Sequence, residues 1–153
     1  MQTLTLPPFN AKIKQEKGKQ YIFDIIRKKF VVLTPEEWVR QHFIHFMIAI
    51  KYPASLMAVE KLVVVNKLKQ RADIVVYNRK GKPALIVECK APEIPINNAV
   101  LAQAARYNIS LQVNYLVVTN GIDNYCIKLN RATMKHEVLK QLPDFETINK
   151  NHS

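Results

Sequence analysis

Glycine is scarce in this chain. Three glycines in 153 residues are too few for G-x-x-x-x-G-K-[ST] or G-x-G-x-x-G, and neither pattern occurs. A P-loop motor ATPase and a dinucleotide-dependent oxidoreductase are therefore not expected. Cysteine is almost as rare. Cys89 and Cys126 form no metal spacing and no disulfide framework, and they are expected as buried, reduced thiols in a cytoplasmic protein. No apolar run reaches the ~18 residues of a membrane span. Residues 1–20 hold no signal-peptide core, so no membrane partner is expected. Acids are the last shortage. Twelve Asp and Glu against 23 Lys and Arg leave a net charge of +11, which favours a polyanionic partner, nucleic acid before membrane.

What is present is ordinary for one globular domain: 48% apolar and 23% charged residues, with no internal repeat and no low-complexity segment. Residues 1–20 are polar and Lys-rich and read as an extended arm. Residues 21–140 read as the main domain, and 141–153 as a tail. An edge hairpin is expected within 21–33, turning between Asp24 and Lys29. Thr34-Pro35-Glu36-Glu37 reads as a helix start: a capping threonine, a proline suited to the first turn, and an acid at the capping-box position. Val39, Phe43, Phe46, Met47 and Ile50 continue at helical spacing until Pro53, and a second short helix is expected over 53–59.

Beyond residue 60 the period changes. Runs rich in Val and Ile over 62–66, 72–78 and 84–90 read as three strands, the last two joined by the turn Asn78–Lys82. An Ala-rich helix is expected over 98–108. Strands over 115–119 and 125–129 follow, joined through Asn120-Gly121. The last twenty residues, from Met134, are expected to hold one short helix before fraying. Helix, three strands, helix, two strands gives an α/β fold around a mixed central β-sheet flanked by helices.

The segments Arg71-Ala72-Asp73 and Val87-Glu88-Cys89-Lys90-Ala91-Pro92 carry the candidate chemistry. Glu-x-Lys alone is a pattern that a chain of this composition contains about once by chance. Its context is more informative. Glu88 and Lys90 end the run Ala84-Leu85-Ile86-Val87, which reads as a buried strand, and residues two apart share a face. Charges ending a core strand are costly unless used or neutralised. Antiparallel pairing would bring Asp73 beside Glu88, so the two carboxylates are expected to converge in one concave site with Lys90 on its rim. Paired carboxylates suit a hard divalent cation, Mg²⁺ or Mn²⁺, which can bind a phosphate oxygen and activate water. A neighbouring lysine can then meet charge developing on phosphorus. The bland alternative is a surface aspartate and a Glu–Lys ion pair.

Asp73…Glu88-x-Lys90, with a helix before and after, resembles the PD-(D/E)xK nuclease superfamily. Thr34–Gln41, Arg71–Asp73, Val87–Pro92 and Val117–Gly121 resemble the N-terminal nuclease domain of type I restriction subunits, over about residues 20–140. The resemblance implies a restriction-endonuclease-like core and a metal-dependent DNA endonuclease, with Asp73, Glu88 and Lys90 catalytic. It also implies Glu37 as a further metal contact beside Asp73 and Glu88, in competition with its capping role. Gln103-Ala104-Ala105-Arg106-Tyr107 resembles the Q-x-x-x-Y helix motif of RecB-like nucleases. Gln103 and Tyr107, four apart, share a helix face and would touch substrate, unless they are a surface glutamine and a core tyrosine.

The basic residues Lys67, Lys69 and Arg71 suit a phosphate-backbone track. His42 and His45 are read as lining a polar helix face rather than binding zinc. Ala72 departs from the motif's proline. The resembling subunits continue into a helicase motor and this chain does not, so a stand-alone nuclease domain is expected. Its partners would be DNA and a separate motor or specificity protein. A catalytically degenerate DNA-binding module is the alternative. Oligomeric state has no signature in the sequence.

Overall fold

The computed structural model describes residues 1–150. Two sheets organise them. A three-stranded antiparallel meander, β1 (Ile13–Glu16), β2 (Lys19–Asp24) and β3 (Lys29–Val32), precedes helix α1 (Pro35–Ala49). A single 3-10 turn, Ala54–Leu56, leads into β4 (Met57–Val65), β5 (Leu68–Tyr77) and β6 (Pro83–Cys89). Helix α2 (Asn98–Ser110) crosses over to β7 (Tyr115–Thr119), followed by β8 (Asn124–Asn130), β9 (Lys135–Leu139) and helix α3 (Phe145–Lys150). The second sheet runs in sequence order from β4 to β9. Its neighbours are antiparallel except for β6 and β7, which α2 joins in parallel. This is an α/β fold with a mixed six-stranded central sheet, compatible with a restriction-endonuclease-like core.

The helix starts follow from capping chemistry. The Thr34 hydroxyl accepts from the Glu37 N–H at 3.0 Å and Pro35 opens the first turn of α1, while the Asn97 side chain accepts from the Val100 N–H to start α2. The two helices cover opposite faces of the large sheet. Val39, Phe43, Ile44 and Met47 of α1 pack with Ile74, Leu85, Val87 and Val117. Leu101, Ala105 and Ile109 of α2 pack with Val75, Ile86, Leu116 and Val118. β6 is buried from both sides, which explains its unbroken apolar run.

Several elements differ from the sequence expectation. The short helix expected over 53–59 is only the 3-10 turn, because Met57 onward pairs with β5 as strand. The expected hairpin at 21–33 gains β1 as a third strand. The last twenty residues hold β9 as well as α3, and the fraying expected after Lys150 lies outside the described residues. The segment expected as an arm touches the core directly: Leu4 and Leu6 are buried, the Trp38 indole donates to the Gln2 carbonyl, and Phe9 stacks on His45.

Leu4 also explains the turn between β7 and β8. Gly121 has φ +84°, and a Cβ there would lie 2.8 Å from Leu4 Cδ1. Thr5 closes the contact, its N–H donating to the Gly121 carbonyl at 2.9 Å. Gly121→Ala should therefore cost about 1–3 kcal/mol, the usual range for a side chain forced into this backbone region. Urea unfolding checks this, and an unchanged midpoint would refute it.

Candidate active site

The site lies where two strands part. The β5–β6 ladder ends at the pair Ile74↔Val87. Beyond it β6 stays with β7, through Glu88↔Val118 and Cys89↔Thr119, while β5 stays with β4. Asp73 stands at this fork. Its Oδ2 accepts from the Cys89 N–H at 2.7 Å, filling the place of the lost ladder bond. The apolar run over 72–78 sets Asp73 at a strand start, but it is the sixth residue of the ten-residue β5.

Below α2 the fork opens into a cleft of about 690 Å³. Glu88, Lys90, Gln103 and Tyr107 line it together with Gln70 and Arg106. Strand alternation accounts for the first pair, since Val87 and Cys89 join the core against α1 and leave Glu88 and Lys90 on the α2 side. Helical spacing accounts for the second pair. The Lys90 ammonium lies 3.5 Å from Glu88 Oε1, with both side chains about a third exposed, so neither charge is buried or tightly bound. Tyr107 is no core tyrosine. Its ring is exposed and its hydroxyl donates to the Lys69 carbonyl at 2.6 Å, tying α2 to β5 across the cleft mouth.

Asp73 is not among the cleft-lining residues. Its Oδ1 accepts from Arg40 Nη2 at 2.6 Å, and Arg40 belongs to α1 on the other side of the sheet. The Arg40 guanidinium is buried among four carboxylates: Asp73, Glu60 at 2.8 Å, Glu36 at 3.1 Å and Glu37 at 2.5 Å. Arg27 reaches the same Glu37 oxygen at 2.9 Å and Asp24 at 2.6 Å, and the Gln41 amide donates to the other Glu37 oxygen. Two arginines thus serve five acids.

The surrounding groups register this balance. Burial opposes the charge on Arg40, but the Asp73 hydrogen bond and the Glu37 and Asp73 charges outweigh it and raise its pKa. Burial and the Asp73 charge push the Glu36 carboxyl up. Burial, then Asp73, holds the Cys89 thiol far above its usual range, and burial pushes Cys126 up to about 12. Both cysteines are free and buried.

The three-acid metal site implied for Asp73, Glu88 and Glu37 is not assembled. Glu37 turns to the two arginines and Gln41, and among the described residues no three His, Cys, Asp or Glu side chains are grouped to hold a metal ion. The expected convergence of Asp73 and Glu88 in one concave site is not seen either. Arg40 and the Cys89 N–H engage both oxygens of Asp73, while Glu88 lines the cleft without it. Of the implied ligands only Glu88 offers a hard oxygen to a cation in the cleft. Glu37 makes no return bond to Thr34 either, so the capping box is one-sided. His42 and His45 meet Phe9 edge-on and stacked, and His42 Nδ1 donates to the Trp38 carbonyl.

Lys67, Lys69 and Arg71 are exposed and outside the cleft lining. Lys69 and Arg71 alternate with Gln70, so they project from the other side of β5, and Arg71 donates to the Glu60 carbonyl. Sequence reasoning missed Arg40, although its position three after Glu37 and four after Glu36 marks it as their helix-face partner. Glu60, which has φ +55°, carried no signal at all.

The mixed six-stranded sheet with α1 and α2 on its two faces makes this an α/β domain compatible with a restriction-endonuclease-like fold. The chain belongs to the family described as Type I restriction enzyme R protein N terminus (HSDR_N), whose model matches residues 35–143. No curated protein and no solved structure gives a match. Among the described residues no helix is long and apolar enough to cross a membrane.

Proposed function

We propose that this domain is a PD-(D/E)xK nuclease that hydrolyses DNA phosphodiester bonds in the cleft beneath α2. The observation that carries the reading is the meeting of Glu88, Lys90, Gln103 and Tyr107 around one open cleft in a member of a restriction-enzyme family. Lys90 is free to meet charge on a scissile phosphate, and Gln103 offers an amide to a phosphate or base. Tyr107 fixes the cleft mouth. Lys67, Lys69 and Arg71 would offer duplex phosphates a separate basic stretch outside the cleft, at the start of β5 and on its other side. Mg²⁺ or Mn²⁺ would be held at Glu88, with Asp73 joining it once freed from Arg40, and would supply Lewis-acid activation of water or phosphate. Delivery to DNA would fall to a separate motor or specificity protein, in the cytoplasm.

One observation favours a second reading. The Arg40 guanidinium already neutralises Asp73, as expected of a nuclease fold that binds DNA without cutting it. Plasmid and linear-DNA cleavage with Mg²⁺ or Mn²⁺ separates the two. The nuclease reading expects nicking that disappears in EDTA and in Glu88→Ala. Binding with no cleavage under any of these metal conditions would establish the DNA-binding module instead.

A further inference from the structure

The meander β1–β3 lies outside the matched segment and has two unlike faces. One carries Ile22 and Asp24, both fully buried; Asp24 is bonded to Arg27 and to the Ile26 and Arg27 N–H groups. The other face is turned to solvent. Lys14 stands opposite Tyr21, Tyr21 opposite Val32, and Phe23 opposite Phe30. The Phe23 and Phe30 rings meet edge-to-face at 5.3 Å. Phe30 is 38% exposed and Val32 46%, which is unusual for large apolar side chains side by side.

Lysine ammonium groups lie over these rings as cation–π partners. Lys14 Nζ lies 4.5 Å from the Phe30 centroid and 5.8 Å from that of Tyr21, and Lys12 Nζ lies 5.7 Å from Phe23. Residues 12–32 contain seven Lys and Arg against two acids. One of those acids, Asp24, is already consumed by Arg27. The other, Glu16, pairs with Lys14 at 3.3 Å at the exposed edge.

We propose that this face is a binding platform for single-stranded nucleic acid, separate from the cleft. Aromatic rings on an exposed sheet give a sequence-tolerant stacking surface, and the flexible lysines over them swing aside to meet the phosphates as bases take their place. A duplex presents no free base faces to these rings. An acidic peptide would match the lysines but leave Tyr21, Phe23 and Phe30 without stacking partners. The platform stands whether or not the cleft cuts DNA, since none of its residues lines the cleft.

The test is fluorescence anisotropy of labelled oligo-dT and oligo-rU against a duplex of equal length, in EDTA so that cleavage plays no part. Both single strands should bind more tightly than the duplex. Phe30→Leu, which keeps an apolar side chain but removes the ring, should weaken single-strand binding about tenfold, and Phe30→Trp should restore it. Lys12→Gln with Lys14→Gln should flatten the salt dependence by about one to two in slope. Thermal melting of each variant verifies that the meander remains folded. Duplex preference, or single-strand affinity unchanged in folded Phe30→Leu, would overturn the proposal, as would preference for an acidic peptide over the oligonucleotides.

Discussion

Arg40→Ala should lower the melting temperature by on the order of 10 °C, far more than any surface change in this chain. Among the described residues Arg40 alone is bonded to Asp73, Glu60, Glu36 and Glu37 together, and Glu37 is itself buried. Without it Glu36 and Glu60 stay open to water and Glu37 keeps Arg27. Asp73, however, is left largely buried without its cation, a loss of about 3 kcal/mol, the low end for a broken buried pair. At about 2–4 °C per kcal/mol for a domain of this size, that gives the stated fall. Arg40→Lys should recover only part of it, because an ammonium cannot serve four carboxylates from a planar fork. A shift below about 2 °C in Arg40→Ala would show that the remaining groups repack or take up protons at little cost. The same melts test the cation question. With Arg40 gone, Asp73 is released, and Mg²⁺ should restore part of the lost melting temperature in the variant while changing the wild type less.

Local chemistry made much of this fold legible. Thr34-Pro35 starts a helix by capping and by a fixed φ, and Asn120-Gly121 turns between two apolar runs, so both were readable from neighbours in sequence. β6 was readable because burial on both faces leaves an unbroken apolar run. β1 and β9 were not readable. Ile13–Glu16 is exposed along its whole length and Lys135–Leu139 nearly so, so no alternation marks them; they are strands because neighbouring backbones offer hydrogen bonds. Pro53 onward was misread because Pro-Ala-Ser-Leu favours a helical turn, while the pairing of Met57–Val65 with β5 decides the outcome.

The site divides in the same way. Glu88 with Lys90, and Gln103 with Tyr107, could each be grouped from the period of one element. That both pairs share one cleft depends on α2 crossing over the β6–β7 junction, which no local pattern encodes. Asp73 is the harder case. Its register beside Glu88 and Cys89 follows from pairing two strands. Its engagement by Arg40 follows from α1 packing on the same sheet, a contact between residues 33 apart.

Lys90→Ala is where the catalytic and structural readings part most widely. The Lys90–Glu88 pair is long, at 3.5 Å, and about a third exposed on both sides. A pair of this kind contributes at most ~1 kcal/mol, so the variant should melt within a few degrees of wild type. If Lys90 meets charge in the transition state, turnover should nevertheless fall by on the order of 10² to 10³. Oligonucleotide binding in EDTA should change far less, because the ground state has little use for that ammonium. Full cleavage by Lys90→Ala would remove it from the reaction. A large loss of stability would instead make Lys90 a structural partner of Glu88, which the exposure of both side chains argues against. Turnover lost with the fold intact would place the chemistry at Glu88 and Lys90, on the α2 side of the fork, and leave Arg40 and its acids the separate task of holding α1 to the sheet.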